Sequence, residues 1–181
     1  FKGRIRDNMK WGREDAGDKE IWEALTIAQA REIVEGKEGK LDFALEQNGK
    51  NLSGGQRQRL TIARALVKKP EFLILDDSAS ALDFATDAAL RKALSRLKGQ
   101  MTTFLVSQRA ASIRQADQIL VLDDGLLVGT GTHDSLLASC SAYREIYFSQ
   151  FPEERRKYEE EHRKISPEDV LSPAGVKEVL S

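Results

Sequence analysis

The sequence predicts an α/β fold in which short buried strands alternate with amphipathic helices, and three observations carry that expectation. Phe72 to Leu75 is a short apolar run suited to a strand covered on both faces. Thr103 to Val106 reads as a second buried strand. Between them, the stretch from Thr86 to about Leu97 sets Ala89, Leu90, Ala93, Leu94 and Leu97 on one helical stripe, and Gly99 stops it. Alternation of this kind is the pattern of α/β domains.

The remaining elements follow in chain order. Phe1 to Asn8 reads as a basic loop leading to a helix. Asp18 to Val34 carries Ile21, Leu25, Ala28 and Ile33 at helical spacing, with Asp18 as its expected cap and Trp22 as a core residue. Gly36 to Gly39 is a charged turn, and Asn48-Gly49-Lys50 is another. A helix from Gln56 to about Lys69 places Leu60, Ala63, Leu66 and Val67 on one face, and Pro70 ends it. Arg57, Arg59 and Arg64 lie elsewhere on that helix and read as a solvated or packing face rather than a nucleic-acid patch. After Ser107-Gln108-Arg109 come a helical turn at Ala110 to Gln115 and a strand at Gln118 to Leu122. Asp124-Gly125 turns the chain into a hairpin with Leu126 to Thr130, which makes Asp123 and Asp124 structural. Gly131 to Leu137 opens another helix, and His133 reads as a packing or capping residue because no second ligand stands at a useful spacing. Beyond Phe151 the charge density rises. Glu153–Lys157, Glu159–Arg163 and Glu160–Lys164 are helix-supporting pairs before Ser166-Pro167 and Ser172-Pro173 break the chain.

Composition narrows the class. The chain has 181 residues, enough for one domain with a real core, and its 40% hydrophobic content is that of a globular protein. A formal net charge of -1 calls for neither nucleic acid nor an anionic membrane. Cys140 is the single cysteine, so there is no internal disulfide. No apolar run approaches the roughly 20 residues that span a bilayer. The first residue is Phe1 and no signal peptide precedes it, so the chain is expected to be a piece of a longer polypeptide.

Chemistry concentrates in residues 51 to 83. Gly54 and Gly55 let the backbone approach an anion closely, and Ser53 can cap the helix that follows. Free amides and the dipole at that helix start favour a phosphate. Asp76 and Asp77 end the first strand, where magnesium and a reacting water belong in nucleotide-cleaving folds.

These residues carry a family resemblance. Leu52-Ser53-Gly54-Gly55-Gln56 resembles the signature of ATP-binding cassette (ABC) proteins, Phe72 to Asp76 the Walker B strand, and Ser80-Ala81-Leu82-Asp83 the D-loop. The three occur in order and at the family's spacing. Phe1 to Asn8 is similar to the segment after the glutamine loop of ABC exporters, and Gly131-Thr132-His133-Asp134 to the family's Gly-Thr-His-Glu segment. The resemblance covers roughly Phe1 to Phe148. It implies a partial P-loop NTPase fold of the ABC type: mainly parallel strands with flanking helices, a helical subdomain at about 10–50, and a C-terminal helical tail. Residues 1–150 would be the C-terminal part of the nucleotide-binding domain and 151–181 the charged tail. No G-x-x-x-x-G-K-[ST] loop is present; Gly39-Lys40 runs into Leu41 and lacks the earlier glycine. By the resemblance, that Walker A loop and the glutamine loop lie upstream of Phe1.

The resemblance also assigns roles. The cofactors would be ATP and magnesium, with Asp76 on the metal side. Leu52 to Gln56 would complete, in trans, the ATP site of a second nucleotide-binding domain. Other partners would be transmembrane domains of the same polypeptide, at the cytoplasmic face of the membrane, with no nucleic acid. Two catalytic positions depart from the pattern. Hydrolytic family members carry glutamate after the Walker B aspartate; here it is Asp77, one methylene shorter, so its oxygens fall roughly 1.5 Å short of the glutamate position, where general-base work requires a hydrogen-bond reach of about 2.6–3.2 Å. The family's histidine on the γ-phosphate is replaced by Gln108, which donates a neutral hydrogen bond and cannot become a cation. Together they suggest the weak half of a heterodimeric exporter. The rival readings are a soluble ABC ATPase acting on DNA or ribosomes, and an isolated fragment with no activity of its own.

Overall fold

The computed structural model describes residues 2–78 and 80–161. They fall into two compact units that divide between Ile113 and Arg114.

The first unit begins with a two-residue strand β1 (Gly3–Arg4) and helix α1 (Ile5–Lys10), followed by α2 (Asp18–Ile27) and α3 (Arg31–Glu35). The single helix expected from Asp18 to Val34 is therefore two. Gln29 turns left-handed (φ 57), its N–H donates to the Thr26 carbonyl (3.1 Å), and the Ala30 N–H donates to that of Leu25 (2.8 Å). That pair of bonds is a Schellman stop, here built on glutamine where glycine is usual. Asp18 is the first helical residue rather than the cap; the cap position is Gly17, whose N–H donates to the Glu20 carboxylate (3.2 Å). Trp22 is half-buried against the core, with the Arg31 guanidinium 5.5 Å from its ring centre.

Strand β2 (Ala44–Leu45) pairs antiparallel with β1 and leads into α4 (Gly54–Val67). Leu60, Ile62, Ala63, Leu66 and Val67 of α4 are buried among Ile5, Met9, Ile21, Leu25 and Val34. Burying each large aliphatic side chain contributes about 1.5–3 kcal/mol. The helix arginines are tied inward: Arg57 Nη1 donates to the Leu52 carbonyl (3.3 Å), Arg59 Nη1 to that of Gln29 (2.9 Å), and Arg64 lies 5.9 Å from the Trp11 ring centre. They form a packing face.

Strand β3 (Phe72–Asp76), helix α5 (Phe84–Ser95) and strand β4 (Thr102–Val106) form a strand–helix–strand unit, with β3 and β4 parallel and Asp76 opposite Val106. The expected two-sided burial does not hold. Leu73 and Leu75 enter the core, but Phe72, Ile74, Phe104 and Val106 are 64%, 69%, 52% and 55% exposed. Strand side chains alternate between faces, and no described element covers the second one. A short helix α6 (Ala110–Ile113) closes the unit.

The second unit opens with a hairpin of β5 (Ile119–Asp123) and β6 (Leu126–Gly131). Asp124 (φ 44) and Gly125 (φ 77) make its turn, both left-handed as the tightest hairpin loops require, so Asp124 is structural. Helices α7 (His133–Ser139), α8 (Ser141–Gln150) and α9 (Pro152–Glu161) follow. Thr132 caps α7, and His133 packs as expected: it is buried, and its Nδ1 shares a 2.9 Å hydrogen bond with the Tyr143 hydroxyl. Burial, with the Arg114 charge behind it, holds the imidazole pKa below its ordinary value. Helix α9 is held by Glu154, which accepts from the Tyr147 hydroxyl (2.6 Å) and from Arg114 Nη1 (3.1 Å). The ion pair at Glu153 is with Arg156 (3.6 Å). The expected pairs Glu159–Arg163 and Glu160–Lys164 and the two Ser-Pro breaks lie outside the described residues.

Candidate nucleotide site

The segment Leu52 to Gln56 is the start of α4. Ser53 is extended (φ -68, ψ 164), and its Oγ accepts from the Gln56 N–H at 3.2 Å. Gln56 Oε1 accepts in return from the Ser53 N–H at 3.2 Å. This reciprocal cap fixes where the helix begins. The Gly54 and Gly55 amides stand in the first turn, ahead of any intrahelical acceptor, at the positive end of a 14-residue helix dipole. Leu52 is buried and anchors the segment; Ser53 and Gly54 are exposed. The local geometry suits an anion.

Asp76, Asp77 and Gln108 gather at one end of the β3–β4 pair. Asp76 is the last residue of β3, and the Asp77 N–H donates to the Val106 carbonyl (3.0 Å), so the two strand ends stay together. Asp77 is left-handed (φ 43), and its carbonyl accepts from both the Ser80 N–H (3.1 Å) and the Ser80 hydroxyl (2.8 Å). Gln108 lies two residues past Val106 and is exposed, as are Asp76 and Asp77. The carboxyl ends of parallel strands are where ligands bind in such sheets.

The loop from Ser80 to Asp83 lies against the start of α4. A Cβ on Gly55 would stand 2.9 Å from the Ala81 carbonyl oxygen, so only glycine fits there. Leu82 is buried in the core. Asp83 caps α5, its Oδ1 accepting from the Thr86 N–H (2.9 Å) and its Oδ2 from the Thr86 hydroxyl (2.8 Å). Those bonds hold the Asp83 carboxyl below the usual carboxylate range.

Residues 3–80 match the ABC transporter family. The chain is 46% identical over 154 residues to an uncharacterized ABC transporter ATP-binding protein, YfiB of Bacillus subtilis, covering 85% of this chain and 26% of that protein. It belongs to the ABC transporter ATP-binding family. It is 43% identical over 151 residues to the beta-(1→2)glucan export ATP-binding/permease protein NdvA of Rhodopseudomonas palustris, covering 83% and 25%. Among solved structures, it is similar to a bacterial Atm1-family ABC exporter with ATP bound, at a TM-score of 0.78 and 33% identity over 83% of this chain and 26% of that one. The chain thus spans about a quarter of the length of the curated relatives it matches.

An ABC nucleotide site asks for phosphate donors and a metal-side carboxylate. The first turn of α4 fits the former. For magnesium, no group of three or more His, Cys, Asp or Glu is assembled among the described residues. One exposed carboxylate at a strand end still fits an ion that keeps most of its waters and takes phosphate oxygens. Asp76 is the exposed carboxylate that ends β3.

Two features of this ABC site have no sequence signal. Arg109 Nη1 donates to the Leu82 carbonyl (3.2 Å) and Nη2 to that of Ser80 (3.2 Å), with the guanidinium 5.4 Å from the Phe84 ring centre. Asp87, 3% exposed, accepts from Ser112 Oγ (2.9 Å) and Arg91 Nε (3.2 Å), tying α6 to α5.

Proposed function

We propose that this chain is the C-terminal part of the ATP-binding domain of an ABC exporter, and that its own ATP site hydrolyses weakly while its signature serves a competent partner site. The exporter assignment is supported by relatives named for glucan export and for an Atm1-family exporter. Its transmembrane domains would belong to the same polypeptide, and the ATP-binding domain would face the cytoplasm; no described helix is itself long and apolar enough to cross a membrane.

The observation that carries the asymmetry is the pairing of Asp77 with Gln108 at one strand end. ATP cleavage needs a carboxylate in reach of the attacking water and donors toward the charge on the γ-phosphate. Asp77 supplies the carboxylate on a shorter stem, and Gln108 supplies a neutral donor. Asp76 would hold the magnesium, which neutralises phosphate charge when bound. Ser53, Gly54, Gly55 and Gln56 would present the α4 amides to ATP on a second nucleotide-binding domain, that of a different, competent subunit.

The test is site-resolved turnover in the full transporter. Asp77→Glu combined with Gln108→His is expected to raise hydrolysis at this chain's own site about tenfold or more, since a well-placed general base contributes on the order of 10²–10⁴. Equal rates at both sites of the unmodified assembly would overturn the asymmetry.

A further inference from the structure

We infer that Arg109 is a positioning residue: it holds the Ser80–Asp83 loop in place against the signature and ties both to the strand end that carries Gln108. Three contacts carry this. The guanidinium spans two carbonyls of one loop, Ser80 and Leu82, each at 3.2 Å. The carbonyl between them, that of Ala81, is the one that abuts Gly55. And Arg109 directly follows Gln108, with its own N–H donating to Ser107 Oγ (3.0 Å) at the end of β4.

The fork therefore brackets the peptide that touches the signature. A shift of Gln108 is carried by one covalent step to Arg109, by two hydrogen bonds to the loop, and by close packing to Gly55. The planar guanidinium suits this task, because its donors are fixed relative to one another; an ammonium on a flexible stem reaches one carbonyl at a time. Phe84, 75% exposed, lies beside the guanidinium and favours its charge there. Both ends of the same loop have a further tie, the Asp83 cap on α5 and the Ser80 hydroxyl on the Asp77 carbonyl. Removing Arg109 thus frees a short segment rather than the fold.

The activity arm of the test rests on the ATP-hydrolysis reading above; the exchange arm does not. Arg109→Lys and Arg109→Met are made in the full-length transporter. Without nucleotide, amide hydrogen exchange over 80–84 is expected to speed about tenfold in both variants, with the α4 amides beyond the first turn unchanged. With ATP, kcat is expected to fall about tenfold while KM changes less than about twofold, as lost positioning rather than lost binding predicts. Lysine is expected not to rescue, because it keeps the charge and loses the fork. Unchanged exchange over 80–84, exchange that rises across the whole unit, or full rescue by lysine would each overturn the inference. If the unmodified protein turned over no ATP while the exchange change persisted, the hydrolysis reading would fail and the positioning role would stand.

Discussion

The helical part of the first unit and its strand pair obey different rules of burial. Around α4, every large apolar residue of the inner stripe is covered, and even the arginines are spent on carbonyls and rings of neighbouring segments. In β3 only alternate residues are covered and in β4 only Leu105 is partly buried, and Phe72 and Phe104 (ring centres 6.4 Å apart) face outward with Ile74 and Val106. Continuous apolar strands belong to sheets with layers on both sides. The helical part is complete in its own packing, whereas the strand pair has chemistry for a second layer that no described residue supplies. The groups proposed to serve ATP divide along the same line, the signature on the complete side and Asp76, Asp77 and Gln108 on the half-covered one.

Truncation mutants should separate the two most sharply. Leu60→Ala is expected to cost about 2–5 kcal/mol in urea unfolding of this chain, whereas Ile74→Ala is expected to stay within about 0.5 kcal/mol. Equal losses would mean that the exposed face is covered in solution. Next in size, Gly55→Ala forces a methyl group toward a backbone oxygen rather than a yielding side chain, and overpacking of this kind costs about 1–3 kcal/mol. Its urea midpoint should fall, and exchange at Ala81 and Leu82 should rise with it. The smallest effect concerns pH. Glu20 accepts from Arg13, from Lys69 Nζ (2.9 Å) and from the Gly17 N–H, which brings its carboxyl from 4.5 down to about 2. In that window the unfolded chain binds the proton more readily, so stability rises with pH there. The contribution is full above about 4.5 and lost as pH falls toward about 2. Glu20→Gln should flatten this part of the acid-unfolding profile, and salt should weaken it because the group is partly open to solvent.

Much of this was legible in the residues. Ser53 announced the cap of α4, the Leu60–Val67 stripe its buried face, and Asp124-Gly125 the hairpin. The strands were legible as strands but not in their burial, because four apolar residues in a row look the same whether the second layer is present or not. The break between α2 and α3 was hidden for a different reason. Apolar spacing continues through Ala28 to Ile33, and the left-handed turn falls on Gln29, where its carbonyl is held by Arg59 from α4. A tertiary contact thus takes the place of a local stop signal. Arg109 was equally silent, since an arginine in a polar loop carries no period, and its partners are carbonyls 27 and 29 residues away. Asp76, Asp77 and Gln108 stand out by family pattern alone, and their common strand end follows from the parallel register of β3 and β4.

Asp77 also bears on how easily this site could change. Its backbone lies in a region that aspartate and asparagine enter more readily than longer side chains. A glutamate at this position gains reach toward a water and loses ease in the bend. The aspartate makes the opposite exchange, so the residue proposed to weaken the chemistry also relaxes the chain. Under the weak hydrolysis proposed for this site, the shorter acid also has a conformational reason to stand here.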